Sequence, residues 1–144
     1  MSVKDKYLSW LPSKGNKLGS VLAVDDDFAI RIILNNVLRK SFDITTVSNG
    51  VEALLWLKKG NDPDIIISDI SMPELNGFDL LKSLSQSGLY NKTPLIILSG
   101  HNKEEVRAQM VNYINPVTFI QKPFNPIEIY NHVTNIIQQK GCFT

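Results

Sequence analysis

The sequence predicts an α/β fold with a parallel sheet covered by helices on both faces. Short apolar runs alternate with longer stretches of helical period, five times along the chain. Most of these runs are unbroken, which is typical of strands buried on both faces. Strands that alternate with helices form parallel sheets through right-handed crossover connections. The expected architecture is therefore a doubly wound arrangement of five βα units.

Five segments are predicted as strands of this sheet. Four of them are largely apolar, whereas the second alternates apolar and polar residues and is expected at a sheet edge. The predicted strands are Leu18–Val24, Asp43–Val47, Asp64–Ile67, Pro94–Leu98 and Val117–Gln121.

Apolar residues at helical spacing between these strands predict the helices and their core faces. The last helix has a clear start, because Asn125 suits the cap, Pro126 the first helical position and Glu128 the third. Gly141 is expected to end it. The residues predicted to face the core are Ile30, Ile33, Leu34, Val37, Leu38, Val51, Leu54, Leu55, Trp56, Leu57, Phe78, Leu81 and Leu84.

Length and composition indicate one globular domain. The 144 residues are 43% hydrophobic and 20% charged, values that disfavour disorder and a multidomain enzyme. A single cysteine, Cys142, excludes an internal disulfide and a cysteine metal cluster. No run approaches the roughly 18 apolar residues of a membrane span, and no secretory signal opens the chain. We therefore expect a cytoplasmic protein with no membrane partner.

Charge is distributed unevenly along the chain. Residues 1–19 contain four lysines and one aspartate, whereas the remainder is mildly acidic. Because no predicted helix carries a basic stripe, direct nucleic-acid binding is not expected. We expect an N-terminal extension at 1–17, a core domain at 18–140 and a short tail at 141–144. The apolar side chains of the extension either pack against the domain or dock a partner, and the sequence leaves this open.

Polar residues follow four predicted strands at the point where each ends. In doubly wound sheets, ligands bind beyond the carboxyl ends of the strands. Three carboxylates and one ammonium there sum to −2, a charge that one divalent cation cancels. An all-oxygen ligand set favours Mg²⁺. The alternative is that an acidic residue after the first strand, Asp26 or Asp27, only caps the next helix. The residues at the strand ends are Asp25, Asp26, Asp27, Asp69, Ser99, Gly100, Lys122 and Pro123.

Four segments in this order resemble one known family, the receiver domains of two-component response regulators. The resemblance spans residues 18–140 and implies a CheY-like, flavodoxin-like (βα)5 fold with strand order 2-1-3-4-5. It rests on the segments Val21–Asp27, Ile65–Gly77, Leu95–Gly100 and Phe119–Phe124.

The resemblance also implies roles for individual residues. Asp69 is similar to the phosphoacceptor, and Asp25 and Asp26 to the acidic pair that binds Mg²⁺ together with Asp69 and the backbone carbonyl of Ser71. Ser99 resembles the hydroxyl that contacts the phosphoryl group, and Lys122 the lysine that pairs with it, followed by a cis bond to Pro123. The remaining implied roles are a switch aromatic at Phe119 and tuning of phosphoryl lifetime by Ser71 and His101.

The resemblance implies a phosphorylation switch rather than an enzyme with a separate substrate. A histidine kinase or histidine phosphotransfer protein would supply the phosphoryl group, and a downstream protein or second copy would bind the fourth helix, fifth strand and fifth helix. The alternatives are a magnesium-dependent aspartyl-phosphate phosphatase, although Ser71 stands where that chemistry needs a carboxylate, and an adaptor that is never phosphorylated. Asn115-Pro116 departs from the Gly-Ala pair common in the family before the fifth strand.

Overall fold

The computed structural model describes residues 17–70, 77–100, 103–111, 113 and 115–141. Strands and helices alternate throughout these residues, as the sequence predicts. The elements are β1 (Ser20–Val24), α1 (Phe28–Leu38), β2 (Asp43–Val47), α2 (Gly50–Lys58), β3 (Ile65–Asp69), α3 (Gly77–Ser85), β4 (Leu95–Ser99), α4 (Lys103–Gln109), β5 (Val117–Gln121) and α5 (Pro126–Gly141).

The five strands form one parallel sheet in the order β2-β1-β3-β4-β5. This order confirms the α/β prediction and places β2 at an edge. Successive strand residues point to opposite faces, so each apolar strand contributes to two cores. One core joins the sheet to α2, α3 and α4, and the other joins it to α1 and α5.

The observed strand bounds differ slightly from those predicted. Two of the differences, at the ends of β3 and β4, involve candidate site residues. β1, β3 and β4 begin one or two residues later than the apolar runs, while β3 and β4 continue through Asp69 and Ser99. Parallel pairing carries these polar residues into the sheet, with Asp69 opposite Leu98 and Ser99 opposite Gln121. They are the last residues of buried strands, not the first residues of loops.

The buried face of two helices is narrower than predicted. Leu34 and Leu38 of α1 are buried, but Ile33 is 39% exposed. On α2 the core contacts come from Ala53 and Leu57, whereas the predicted core residues Val51 and Leu55 face solvent. The predictions for these three residues are wrong because a short helix against one sheet face buries only one stripe. Phe78 lies where no side chain is described.

Helices α1 and α5 each begin with a side-chain cap. The Ile127 amide donates to the Asn125 side chain at 2.9 Å, which confirms the predicted cap of α5, and Gly141 ends that helix. The Ala29 amide donates to the Asp27 carboxylate at 2.9 Å, so Asp27 caps α1. The alternative that an acidic residue after β1 caps the next helix is therefore correct for Asp27. Asp25 and Asp26 do not cap α1.

Helix α2 begins with a reciprocal cap that carries a prediction. The Glu52 amide donates to Asn49 Oδ1 at 2.9 Å, and the Ser48 amide and hydroxyl donate to the Glu52 carboxylate. The bonds from Ser48 lower the pKa of Glu52 below its usual 4.5.

Asn49→Ala should reduce the free energy of unfolding by about 1 kcal/mol, because it removes the side-chain oxygen that caps the Glu52 amide.

The contribution of Glu52 to the free energy of unfolding should depend on pH. Because its folded-state pKa is lowered, its stabilisation is complete above pH 4.5 and is lost as pH falls through the lowered pKa. Urea unfolding of the wild type and of Glu52→Gln from pH 7 to pH 3 measures this. The two proteins should converge in stability at low pH, and a constant difference across the range would contradict the assignment.

The Asn115-Pro116 pair joins two loops at the amino ends of β4 and β5. Asn115 is buried, and its amide donates to the carbonyls of Tyr90 at 2.8 Å and Thr93 at 3.0 Å. The Leu95 amide donates to the Pro116 carbonyl at 2.8 Å. The departure from the family pattern therefore acts at the end of the sheet opposite the candidate site.

Candidate functional site

The carboxyl ends of β1, β3 and β4 lie side by side in the centre of the sheet. Helices cover both faces there, so the polar side chains at these ends are enclosed. Asp25 is 0% exposed, Asp69 is 5% exposed and Ser99 is 6% exposed. Buried polar groups are costly unless they are paired or bind a ligand, which marks this edge as the candidate site.

Three carboxylates converge at this edge. One oxygen each from Asp25, Asp26 and Asp69 lies within 4.8 Å of the others. Asp26 is exposed, whereas the other two are buried. The site therefore opens to solvent on the Asp26 side.

Lys122 stands between the two buried carboxylates. Its Nζ lies 3.3 Å from Asp25 Oδ2 and 3.4 Å from Asp69 Oδ1. The Lys122 amide donates to the Ser99 carbonyl at 2.8 Å, which fixes the end of β5 beside β4. The bond between Lys122 and Pro123 is cis, as the resemblance implies.

The electrostatics of the cluster favour a bound cation. Burial raises the pKa of Asp25, and the Asp69 carboxylate raises it further, against the opposing effects of the Asp27 amide and Lys122. The Asp27 amide donates to Asp25 Oδ1 at 2.9 Å and holds that side chain in place. One ammonium does not balance three carboxylates, and an all-oxygen donor set of this kind fits Mg²⁺.

Phe119 lies on β5, opposite Ile97 of β4. Its ring is half-buried and packs against the core shared by α2, α3 and α4. A cavity of about 230 Å³ is lined by residues of β4, α4 and β5, which include Ile97, Ser99, Lys103, Val106 and Phe119. The predicted switch aromatic and the predicted phosphoryl-binding hydroxyl therefore share one cavity.

The structure brings together most of the residues that the sequence singled out. Asp25, Asp26, Asp69 and Lys122 form one cluster, with Ser99 at the next strand end. Ser71 and His101 lie outside the described residues, so their roles stay predictions.

Two arginines that were not predicted from the sequence lie near these residues. Arg31 donates from Nη1 to the Asp25 carbonyl at 2.7 Å, and its guanidinium lies 5.6 Å from the Phe28 ring centroid. Arg107 of α4 lies 5.6 Å from the Phe119 ring centroid. Arg31 could have been predicted, because it lies six residues after Asp25 and near the start of the helix that follows Asp25. No local pattern relates Arg107 to Phe119, because they belong to different elements.

A doubly wound parallel sheet with carboxylates and a lysine at its carboxyl edge defines an α/β protein with a candidate divalent-cation site. The family model described as the response regulator receiver domain matches residues 21–134. The chain belongs to this family.

Relatives and solved structures agree with the assignment. The chain is 32% identical over 120 residues to the two-component response regulator ORR3 of Oryza sativa subsp. indica, covering 83% of this chain and 91% of that protein. It is 31% identical to the 3',5'-cyclic-nucleotide phosphodiesterase regA of Dictyostelium discoideum, covering 82% of this chain and 15% of regA. The chemotaxis response regulator CheY4 of Vibrio cholerae superposes with a TM-score of 0.74 at 29% identity, covering 82% of this chain and 98% of CheY4.

Among the described residues, every helix is too short or too polar to cross a lipid bilayer.

Proposed function

We propose that this chain is a phosphorylation switch that accepts a phosphoryl group on Asp69 from a histidine kinase or a histidine phosphotransfer protein. The observation that carries the proposal is the contact of Lys122 with both Asp25 and Asp69 inside a cluster of three carboxylates. Asp69 is the last residue of β3, the middle strand of the sheet.

The transfer step uses groups on three strands or their ends. A carboxylate oxygen of Asp69 forms the new bond to phosphorus while the bond from phosphorus to the donor atom breaks, and the electron pair leaves with the donor. Lys122 pairs with the negative charge on the phosphoryl oxygens, and the Ser99 hydroxyl donates a hydrogen bond to one of them. No further acid or base is needed for this exchange.

Asp25, Asp26, Asp69 and the Ser71 carbonyl would hold Mg²⁺. When bound, Mg²⁺ would neutralise charge on the phosphoryl oxygens and so lower the barrier to transfer. The buried, raised-pKa carboxyl of Asp25 supports a cation at this position. The same residues would assist hydrolysis of the acyl phosphate, with Ser71 and His101 tuning its lifetime.

Phosphorylation would be read out through Ser99 and Phe119. The hydroxyl would move toward the phosphoryl group, and the apolar ring would enter the cavity that both residues line. The resulting change around α4, β5 and α5 would select a downstream protein or a second copy of the chain. Residues 18–140 would form this receiver domain, with an extension at 1–17, a tail at 141–144 and a cytoplasmic location.

The chemistry is tested by intact-mass measurement after incubation with acetyl phosphate. Label equal to one phosphoryl group should appear with Mg²⁺ and be lost when EDTA is present, because the carboxylates otherwise repel the anionic donor. Ca²⁺, which prefers longer bonds and more ligands, serves as the matched control cation. Full labelling in EDTA would contradict a metal-dependent site.

A further inference from the structure

The Phe119 ring lines a cavity and also lies beside a cation. The cavity has a volume of about 230 Å³ and is lined in addition by Ser99, Lys103 and Val106. The cation is the guanidinium of Arg107, whose Cζ lies 5.6 Å from the ring centroid. The ring is half-buried, whereas Arg107 is exposed. Two different surroundings are therefore available to the same side chain.

The cavity is partly open to solvent, and its volume is large enough to receive a phenyl ring. An apolar protein cavity of roughly 150 Å³ accommodates benzene. Ile97 and Val106 supply apolar walls here, and both belong to the core on that face of the sheet. Burial of the ring in the cavity would remove apolar surface from water, which favours the inward position. Something must offset this gain if the ring is to stay beside α4.

The contact with Arg107 would supply such an offset. Phenylalanine has no hydroxyl to hydrate, so an outward ring gains nothing polar from solvent by itself. A guanidinium is planar and weakly hydrated, and it is attracted to the face of an aromatic ring. The contact gives the outward ring a favourable partner that it would lose on moving into the cavity.

We propose that Arg107 is a positioning residue that holds Phe119 against α4 and so sets the resting balance of the switch. This inference rests on the proposed function, in which the inward ring belongs to the phosphorylated state. Arg107 and Phe119 lie on different elements, α4 and β5. Their contact therefore couples the position of the ring to the position of α4, which lies on the proposed output face.

The consequence for binding follows from linkage. A contact made only in the outward state reduces the population of the inward state, and the apparent affinity for any ligand of the inward state falls in proportion. For a cation–π contact at an exposed position, the expected factor is about 2- to 5-fold.

The test measures binding of beryllofluoride, an acyl-phosphate mimic, to the full chain in Mg²⁺. Calorimetric titration gives the apparent affinity, and NMR of the Phe119 ring reports its position. Arg107→Gln should bind beryllofluoride about 2- to 5-fold more tightly than the wild type. Arg107→Lys, which keeps the positive charge, should lie between them, and Lys58→Gln, which removes a charge from α2, should match the wild type.

A second background separates the ring contact from a general charge effect. In Phe119→Leu, which lacks the aromatic face, Arg107→Gln should leave the affinity for beryllofluoride unchanged. An unchanged affinity of Arg107→Gln in the wild-type background, or an equal gain in both backgrounds, would overturn the inference alone. Failure of the wild type to bind beryllofluoride in Mg²⁺ would overturn the proposed function, and the inference with it.

Discussion

Asp69→Asn is expected to abolish labelling by acetyl phosphate, because an amide oxygen is a poor nucleophile and its acyl-phosphate product cannot form. The fold should survive, since the amide has nearly the same size as the carboxyl and relieves repulsion with Asp25. Intact-mass measurement over time gives the extent of labelling. Circular dichroism of the same sample establishes that the variant is folded.

Asp64→Asn is the matched control for this experiment. Asp64 precedes the same strand, β3, at its amino end, where its carboxylate accepts a hydrogen bond from the Ser20 amide at 2.9 Å. This variant removes one carboxylate from the same part of the chain without touching the candidate site. It should label like the wild type. Labelling of Asp69→Asn at the wild-type rate would show that another residue accepts the phosphoryl group.

Asp25→Asn is expected to shift stability and metal affinity in opposite directions. The carboxyl of Asp25 has a raised pKa because it is buried and faces Asp69. Its charged form is therefore disfavoured in the folded protein, and the metal-free protein loses stability as pH rises from 3.8 through the raised pKa. The variant should melt a few degrees above the wild type at neutral pH without metal and match it at pH 3.

The same substitution should weaken Mg²⁺ binding severely. Loss of a group that merely orients a metal ligand typically costs about 10–100-fold in affinity, and loss of a charged ligand should cost at least as much. Calorimetric titration with Mg²⁺ gives the affinity, and thermal melting with and without Mg²⁺ gives the linked stabilisation. A variant that is less stable than the wild type without metal, or that binds Mg²⁺ equally well, would contradict the arrangement.

Lys122→Gln is expected to change the stability of the metal-free protein in the opposite direction from Asp25→Asn. Its ammonium contacts both buried carboxylates, at 3.3 Å and 3.4 Å, so its removal leaves them without that cation. We expect a loss of about 1–3 kcal/mol in the metal-free protein. Mg²⁺ should restore part of the loss. In the metal-free protein, Lys122→Gln should lower stability and Asp25→Asn should raise it. These opposite signs distinguish an electrostatic cluster from residues that only pack.

The sheet and the cluster could be predicted from the sequence because both depend on local patterns. Unbroken apolar runs identify buried parallel strands, and the end of each run fixes where the next polar side chain lies. Asp69 and Ser99 follow such runs, and parallel strands bring their carboxyl ends together. The order of the strands came from the family resemblance, since local patterns do not determine which strands pair.

Contacts between distant elements could not be predicted in this way. Ile33 and Leu55 fit a helical pattern but face solvent, because the number of helical faces that are covered depends on neighbouring helices. The pairing of Arg107 with Phe119 depends on how α4 lies against β5. The same holds for Asn115, whose amide reaches Tyr90 across two loops.

Chemical mapping of the phosphorylated residue tests the central claim most directly. An aspartyl phosphate is an acyl phosphate, and borohydride reduces it to homoserine at the modified position. After incubation of the wild type with acetyl phosphate and Mg²⁺, peptide mass mapping should find homoserine at position 69 and at no other aspartate. Homoserine at position 25 or 26, or a phosphoryl group retained on His101 or His132, would contradict the proposed function.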